Sequence, residues 1–181
     1  MKKRHILIAG GIDRKGIVFS MTGMLKKYGF NIEDSSMIMM RRTFSVIMLL
    51  SNSAGYSKTG FEKSIAAFRK KFNMAVDIKA VSEKQMKEYK CAGKRYMVSI
   101  SGADRPGIVN EITGIIYKSG ANIIGLETKS SEKTKPHAYY MFLEIDLPSP
   151  PDLKAFEKRL KSAAKKIGVH VTVSRVEDRV L

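Results

Sequence analysis

The sequence predicts an α+β protein of two βαββαβ domains, each an antiparallel sheet with two helices on one face. The first supporting observation is that residues 11–18 recur in similar form 91 positions later, at residues 102–109. The second is that strand-like and helix-like apolar patterns follow in the same order in both halves. With 181 residues, the chain has room for two small domains. We predict a first domain at 1–82, a linker at 83–93 and a second domain at 94–181.

The first half contains one complete set of elements. Apolar residues from Ile17 to Tyr28 recur at offsets 0, 1, 4, 7, 8 and 11, which is one face of a helix. Gly29 is placed to end that helix. Further along, apolar residues from Phe61 to Phe72 indicate a second amphipathic helix. The predicted elements are a strand at 5–11, the first helix, a strand at 31–40, a turn at 41–42, a strand at 43–50, a loop at 51–57, a helix at 58–72 and a strand at 74–81.

The second half repeats this order. Its first helix has apolar residues from Ile108 to Ile116 on one face, and Gly120 is placed to end it. Pro106 suits the first turn of this helix, and Pro151 the first turn of the next one. The predicted elements are a strand at 95–102, the first helix, a strand at 122–130, a longer turn at 131–136, a strand at 137–145, a loop at 148–151, a helix from Leu153 that ends at Gly168, and a strand at 169–176.

Identity between the halves is concentrated in the repeated stretch and the helix after it. Aligned at an offset of 91, residues 11–32 and 102–123 are identical at 12 of 22 positions. Polar residues are among them, at Asp13/Asp104 and Asn31/Asn122. A shared core alone would not require identical polar residues, which favours a retained function.

The repeated stretch is predicted to be a strand-to-helix corner. The first amides of a helix have no internal partner and carry partial positive charge, so a carboxylate from outside suits that position. The paired glycines allow a ligand or another backbone to approach closely. The alternative is that Asp13 and Asp104 only cap their own helices and that the glycines only provide positive φ.

Composition limits the other classes of function. The formal charge of +16 favours encounters with nucleic acid or an acidic partner, or it reflects a lysine-rich solvated surface. The single cysteine, Cys91, excludes an internal disulfide and any site with several cysteines. No apolar run is long enough for a membrane span, and the run after the basic start is too short for a signal peptide. We therefore expect a cytoplasmic protein.

No enzyme signature stands out. The histidines His5, His137 and His170 show no metal-ligand spacing, and no nucleophile elbow or phosphate-binding loop is present. The eleven methionines are interpreted as strand and core residues. We predict a protein that is not an enzyme and that uses no cofactor and no metal.

The pattern Gly-x-Asp-Arg-x-Gly-Ile-Val, followed after a helix by Gly-x-Asn-Ile, resembles the ACT domain. This small regulatory module binds amino acids and has a ferredoxin-like βαββαβ fold. The resemblance covers nearly the whole chain as two tandem copies. Residues 31–51 are similar to the first half of a transcriptional repressor that is built from two ACT domains.

The resemblance implies a ligand site between the corner of one domain and the start of the second strand of a paired domain. Amides at the corner would hold a ligand carboxylate, the aspartates its ammonium group, and the asparagines would complete the clamp. The implied ligand-binding residues are Gly11, Asp13, Gly16, Ile17, Asn31, Ile32, Gly102, Asp104, Gly107, Ile108, Asn122 and Ile123. Asn31 and Asn122 also have a simpler interpretation, because asparagine tolerates the left-handed conformation after a helix.

The function implied is a regulatory protein that binds a small amino acid at ACT domain interfaces and acts through a protein partner, such as a transcription factor. Regulation of transcription in amino-acid (glycine) metabolism is one form that this function would take. The domains would pair within the chain or across a homodimer, because unprotected edge strands favour such pairing. RNA or DNA binding is the alternative, since the RRM fold has the same strand order. The two predicted third strands do not match the aromatic RRM pattern, so direct nucleic-acid binding is the less favoured interpretation.

Overall fold

A computed structural model describes residues 3–85, 90–91, 93–131, 135, 137–148 and 152–176. The chain divides into two compact units, Met1–Glu88 and Tyr89–Leu181. The elements of the first unit are β1 (Lys3–Ile12), α1 (Ile17–Lys27), β2 (Asn31–Met40), β3 (Thr43–Asn52), α2 (Lys58–Phe72) and β4 (Met74–Val81). Those of the second are β5 (Gly93–Ala103), α3 (Ile108–Lys118), β6 (Asn122–Ser131), β7 (Ala138–Pro148), α4 (Leu153–Ile167) and β8 (Val169–Arg175). The predicted fold class is confirmed.

Each unit forms one antiparallel four-stranded sheet. The strand orders are β2-β3-β1-β4 and β6-β7-β5-β8, so the first and third strands of each unit are central. Side chains alternate between the two faces of a strand, and one set is buried against the helices. In the first unit this set includes Leu7 opposite Met48, and Ala9 opposite Val46.

The helices cover the sheet with the apolar faces that the sequence predicts. In α1 the residues Ile17, Met21 and Leu25 are buried. In α3 the buried residues are Ile108, Ile112 and Ile116, at the equivalent positions. Within the described ranges, no helix has the length and apolar character that crossing a bilayer would require.

Glycines end three of the four helices in the left-handed conformation, as predicted. Gly29, Gly120 and Gly168 have φ values of 72°, 73° and 69°. α2 instead ends at Asn73, with φ of 52°. The prediction for Pro151 lies outside the described residues, and α4 begins after the side-chain cap of Asp152.

Several strand ends differ from the predictions. β3 continues through Asn52, which the sequence places in a loop, because its side chain donates to Tyr28 O at 2.8 Å and accepts from Gly55 N at 2.7 Å. β5 begins at Gly93, whose N–H donates to Asp146 Oδ1 at 2.9 Å. β7 runs to Pro148, beyond the predicted end at residue 145. In each case polar groups and backbone pairing extend a strand past its apolar run.

Gly11 and Gly102 allow two strands to approach closely. A Cβ on Gly11 would lie 2.9 Å from Met74 Cγ and 3.1 Å from Asn73 O. A Cβ on Gly102 would lie 3.0 Å from Val169 Cγ1. Each glycine therefore allows the start of the neighbouring strand, β4 or β8, to lie close to it. The sequence predicted that these glycines admit either a ligand or another backbone, and here they admit another backbone.

His5 is a buried polar residue in the first core. Its side chain is 6% exposed, and its ring meets Phe30 edge to face with centroids 5.3 Å apart. Nε2 lies 3.3 Å from the Tyr56 hydroxyl, while Nδ1 has no hydrogen-bond partner among the residues described. Burial, and secondly the charge of Lys3, lowers the pKa of His5 below its ordinary value of 6.5. The imidazole is therefore neutral in the folded protein at pH 7.

The close strand approach predicts opposite effects for two glycine substitutions. Gly11→Ala should destabilise the first unit by about 1–3 kcal/mol, because the added methyl group overpacks against Met74. Gly23→Ala is the matched control: outside the helix's own backbone and the adjacent residues, no atom would lie within 4 Å of a Cβ added there, and we expect about 0.5–1 kcal/mol of stabilisation. Urea unfolding followed by circular dichroism measures both. Equal midpoints for the two variants would contradict the packing argument.

The environment of His5 predicts a dependence of stability on pH. The unfolded chain binds a proton at His5 at a higher pH than the folded chain does. The free energy of unfolding should therefore fall as the pH drops below about 6.5, and the loss should level off below the lowered folded pKa. His5→Phe keeps a ring against Phe30 and should reduce the dependence between pH 7 and pH 5, measured by urea unfolding.

The control for this prediction is His170→Gln, since His170 is exposed on β8. That variant should keep the wild-type pH dependence. If His5→Phe gives the same slope as the wild type, another group is responsible for the effect.

Candidate functional site

Both predicted corners are tight turns around a left-handed glycine. Gly16 and Gly107 precede α1 and α3 with φ values of 88° and 94°. This region of φ favours glycine, because a side chain would clash with the backbone. Apart from the adjacent residues of the chain, no atom lies within 4 Å of a Cβ built on either glycine, so both corners are open at this point. The first residues of the helices, Ile17 and Ile108, point their side chains into the cores.

The aspartates do not cap their helices. Neither helix has a side-chain cap, so the alternative interpretation of Asp13 and Asp104 as N-caps is wrong. Their backbone N–H groups instead donate to Arg42 O and His137 O, both at 2.8 Å. Each corner is thereby tied to the hairpin of the second and third strands, which leaves the carboxylate available for other contacts.

The prediction that Pro106 lies in the first turn of the helix is wrong, because Pro106 lies two positions before the first helical residue, Ile108. This proline belongs to the turn before Gly107, which is the N-cap residue of α3. The helix therefore begins only after the left-handed glycine. The fixed φ of Pro106 shapes the turn rather than the first turn of the helix.

Polar side chains surround the second corner. Ser130 Oγ donates to Asp104 Oδ2 at 2.7 Å. Tyr139 is 8% exposed, and its hydroxyl donates to Met141 Sδ at 3.8 Å. Burial, and secondly the negative charge of Asp104, raises the pKa of the Tyr139 hydroxyl, so it stays protonated as a donor.

The first corner is apolar at the equivalent positions. Met39 pairs with Phe44 across β2 and β3, just as Ser130 pairs with Tyr139 across β6 and β7. Met39 is 56% exposed and Phe44 is buried. Within the described part of the chain, the Asp13 carboxylate has no hydrogen bond or ion pair. The two corners therefore share a backbone but differ in the chemistry around the aspartate.

A cleft of about 330 Å³ lies beside the second corner. It is lined by Asp104, Arg105, Gly107, Ile108, Val109, Asn110 and Tyr139. The Ile108 N–H has no acceptor within the described ranges, whereas the Ile17 N–H donates to Arg14 O at 3.4 Å. The second corner thus combines an unpaired amide, a carboxylate and a cleft.

The predicted asparagines lie at the opposite end of each sheet from the corner. Asn31 begins β2 and pairs with Ser51, which also pairs with Arg4 near the start of β1. The corner follows Ile12, at the other end of β1. The eleven residues of α1 separate the two ends by about 16 Å. Within one unit the structure does not bring the predicted groups together.

The simpler interpretation of the asparagines is not supported. The positive-φ residues after α1 and α3 are Gly29 and Gly120, whereas Asn31 and Asn122 are exposed strand residues. The register of each second strand then shifts, after Ile32 in β2 and after Ile123 in β6. A cleft of about 410 Å³ includes Asn31 and Ile32 together with Phe19 and Lys26.

Sequence reasoning missed Ser130 and Tyr139. Both come from strands that carry no motif, and only the fold brings them to Asp104. A signal was present, because the corresponding residues of the first half are Met39 and Phe44. Such a change from apolar to polar residues at paired positions marks a corner that has diverged.

No metal centre is found in the described ranges, where no group of three or more His, Cys, Asp or Glu side chains could hold an ion. His137 and His170 are exposed, and Cys91 is a half-buried free thiol. His137 precedes β7 rather than lying within it as predicted. His137 contributes to the corner through its backbone carbonyl group, which accepts the hydrogen bond from the Asp104 N–H.

Comparison with known proteins agrees with this architecture. The glycine cleavage system transcriptional repressor of Escherichia coli (strain K12) is 24% identical over 180 residues, which is 97% of this chain and 93% of that protein. An unknown protein from Galdieria sulphuraria has a similar structure, with a TM-score of 0.77, 23% identity, and coverage of 98% of this chain and 100% of that chain.

A candidate glycine cleavage system transcriptional repressor of known structure gives a TM-score of 0.68 at 16% identity, covering 98% of this chain and 99% of that chain. At these identities the two structures support the fold alone. Residues 5–79 and residues 96–164 each match the ACT domain family. The chain therefore belongs to the ACT domain family, with one ACT domain in each half.

Proposed function

We propose that the protein is a non-enzymatic regulator that binds a small amino acid at the corner of its second ACT domain. The observation that carries this proposal is the cleft beside Gly107, which is lined both by Asp104 and by Ile108, the residue whose N–H has no acceptor within the described ranges. Its volume of about 330 Å³ suits a small ligand, and a small amino acid carries one anionic and one cationic group.

Each end of the ligand has a matching group at this corner. The N–H groups at the start of α3 favour a carboxylate, because they lack helix partners and lie at the positive end of the helix dipole. Asp104 is an acceptor for the ammonium group, and Ser130 holds one of its oxygens in place. Tyr139 closes one side of the cleft with an uncharged ring.

Asn31, Ile32, Asn122 and Ile123 would belong to the complete site only through a second ACT domain. Each pair lies about 16 Å from the corner of its own unit, too far for one small ligand. We propose that Asn31 or Asn122 of a paired ACT domain completes the clamp with its side-chain amide. Gly11 and Gly102 lie near the end of the strand that precedes each corner, where they pack closely against the start of β4 and β8.

Regulation follows if the ligand favours one arrangement of the domains over another. A protein partner that recognises the favoured arrangement would then respond to the ligand, and the coupling is reciprocal. Similarity to the Escherichia coli repressor over 97% of the chain supports control of transcription in amino-acid metabolism, with glycine among the candidate ligands.

A second function, binding of single-stranded RNA, is supported by one feature of β7. Tyr140 and Phe142 are 44% and 40% exposed on the sheet face away from the helices. They lie two residues apart on a central strand, where bases could stack. The strand lacks the RRM sequence pattern, so this function ranks second.

The ligand site predicts one amino-acid site per chain. Titration calorimetry with the twenty common amino acids should give saturable heat with at least one of them. Asp104→Asn should weaken that binding at least tenfold, because a neutral amide no longer attracts the ammonium group. Asp13→Asn, the equivalent change at the apolar first corner, should alter it less than twofold.

A corner exchange provides the second control for this prediction. Ser130→Met together with Tyr139→Phe copies the residues of the first corner and should also reduce the affinity at least tenfold. The absence of heat with every amino acid, or equal losses in the two aspartate variants, would remove the basis for the proposal.

The RNA alternative predicts binding of a fluorescent oligouridine at about 150 mM salt. Tyr140→Ala with Phe142→Ala should weaken this binding at least tenfold, since each stacked base contributes about 1–3 kcal/mol. Ser45→Ala with Ile47→Ala changes the equivalent positions of β3 and should have little effect. Anisotropy that does not rise at this salt concentration rules the alternative out.

A further inference from the structure

The second ACT domain has a groove between its two helices, distinct from the corner. The α3–α4 groove has a volume of about 580 Å³. Its floor is formed by Ile115 of α3 and by Ala163 and Ile167 of α4, all half-buried. A groove of this kind between two helices is a recurring place for ligands and partners to bind.

The groove lies where α4 carries a small residue, Ala163, in its C-terminal half. The equivalent position of α2 is Phe68, and Phe72 is the equivalent of Ile167. Both phenylalanines are 6% exposed, and their ring centroids lie 4.9 Å apart. Aromatic rings thus occupy these two positions in the first domain, whereas smaller side chains leave space there in the second domain. The fold tolerates either choice.

Positive charge surrounds the floor. Lys118, Lys158, Arg159 and Lys166 line the groove and are exposed, against a single carboxylate, Glu111. None of the four cations has an ion pair within the described ranges. Elsewhere on α4, Lys161 does form an ion pair with Glu157, at 3.1 Å. The groove therefore presents an aliphatic floor with a rim of four cations and one carboxylate.

We propose that the α3–α4 groove binds an acidic amphipathic helix of a protein partner. Such a helix would place an apolar stripe on the floor and carboxylates against the rim, which is a common mode of recognition. The fifteen residues of α4 span about 22 Å, which matches a partner helix of about four turns. Nucleic acid fits less well, because the floor has no aromatic ring on which a base could stack.

This inference rests on the proposed function only in that a protein partner exists. The amino-acid site lies at the corner before α3, whereas the groove runs along α3 from Glu111 to Lys118 and is completed by α4. Changes in the groove should therefore leave amino-acid binding intact, and the two proposals can fail separately.

The test uses the full chain and a fluorescent synthetic helical peptide of two heptads, with leucine along one face and glutamate elsewhere. Fluorescence anisotropy at physiological ionic strength should show saturable binding. Ala163→Phe, which copies α2 and leaves every cation in place, should weaken binding at least tenfold. Lys158→Glu with Lys166→Glu should do the same.

The first domain provides a matched control for charge. Lys63→Glu with Lys71→Glu makes the same changes at the equivalent positions of α2 and should alter the affinity less than twofold. Thermal melts verify that each variant is folded; if Ala163→Phe does not fold, the comparison of the two lysine pairs decides. Unchanged amino-acid heats in the α4 variants separate this site from the ligand corner.

Three outcomes would overturn the proposal. These are the absence of saturable binding to the wild type, equal losses in the two lysine-pair variants, and full binding by a folded Ala163→Phe protein. A duplex DNA probe tests the alternative that the groove binds nucleic acid. The groove is a nucleic-acid surface if three results hold together. DNA binds more tightly than the peptide, DNA binding is lost with Lys158→Glu and Lys166→Glu, and DNA binding persists in Ala163→Phe.

Discussion

The left-handed glycine of each corner is the constraint on which the rest of the domain depends. With φ near 90°, Gly16 and Gly107 turn the chain from a central strand directly into a helix. The following residue then points into the core, and the aspartate N–H three residues before the glycine meets the hairpin carbonyl. A side chain at the glycine would oppose this geometry. The same turn exposes the first amides of the helix. One glycine therefore both makes the turn that the fold requires and leaves amides accessible to a ligand.

The two domains share this backbone but have diverged in what they leave open. The first domain places Met39 and Phe44 at its corner and Phe68 between its helices, so apolar side chains occupy the equivalent positions. The second domain has Ser130, Tyr139 and Ala163 there. Duplication preserved the corner and the helix pattern, which the fold requires. Substitution then acted at positions where the same backbone accepts different side chains: serine in place of methionine, tyrosine in place of phenylalanine, and alanine in place of phenylalanine.

Much of the fold could be predicted from the sequence, because local rules decide it. α2 has the predicted bounds, since its apolar period and its flanking residues act over a few positions. Strand ends were less accurate, because Asn52 and Gly93 are held by partners distant in sequence. The corner glycines carry a local signal, so they could be identified. Ser130 carries none, because its contact with Asp104 spans 26 residues and arises only when the sheet forms.

α3 connects the features that distinguish the second domain. Its first residues border the cleft at Gly107, and its later turns contribute Ile115 and Lys118 to the groove. A helix of eleven residues spans about 16 Å, so a displacement of α3 as a whole would reach both the cleft and the groove. A ligand that prefers one position of α3 must then change the affinity of a helix bound in the groove, and the partner must change the ligand affinity by the same factor. The physical link between sensing and response would thus lie within one helix, without requiring a rearrangement of the sheet.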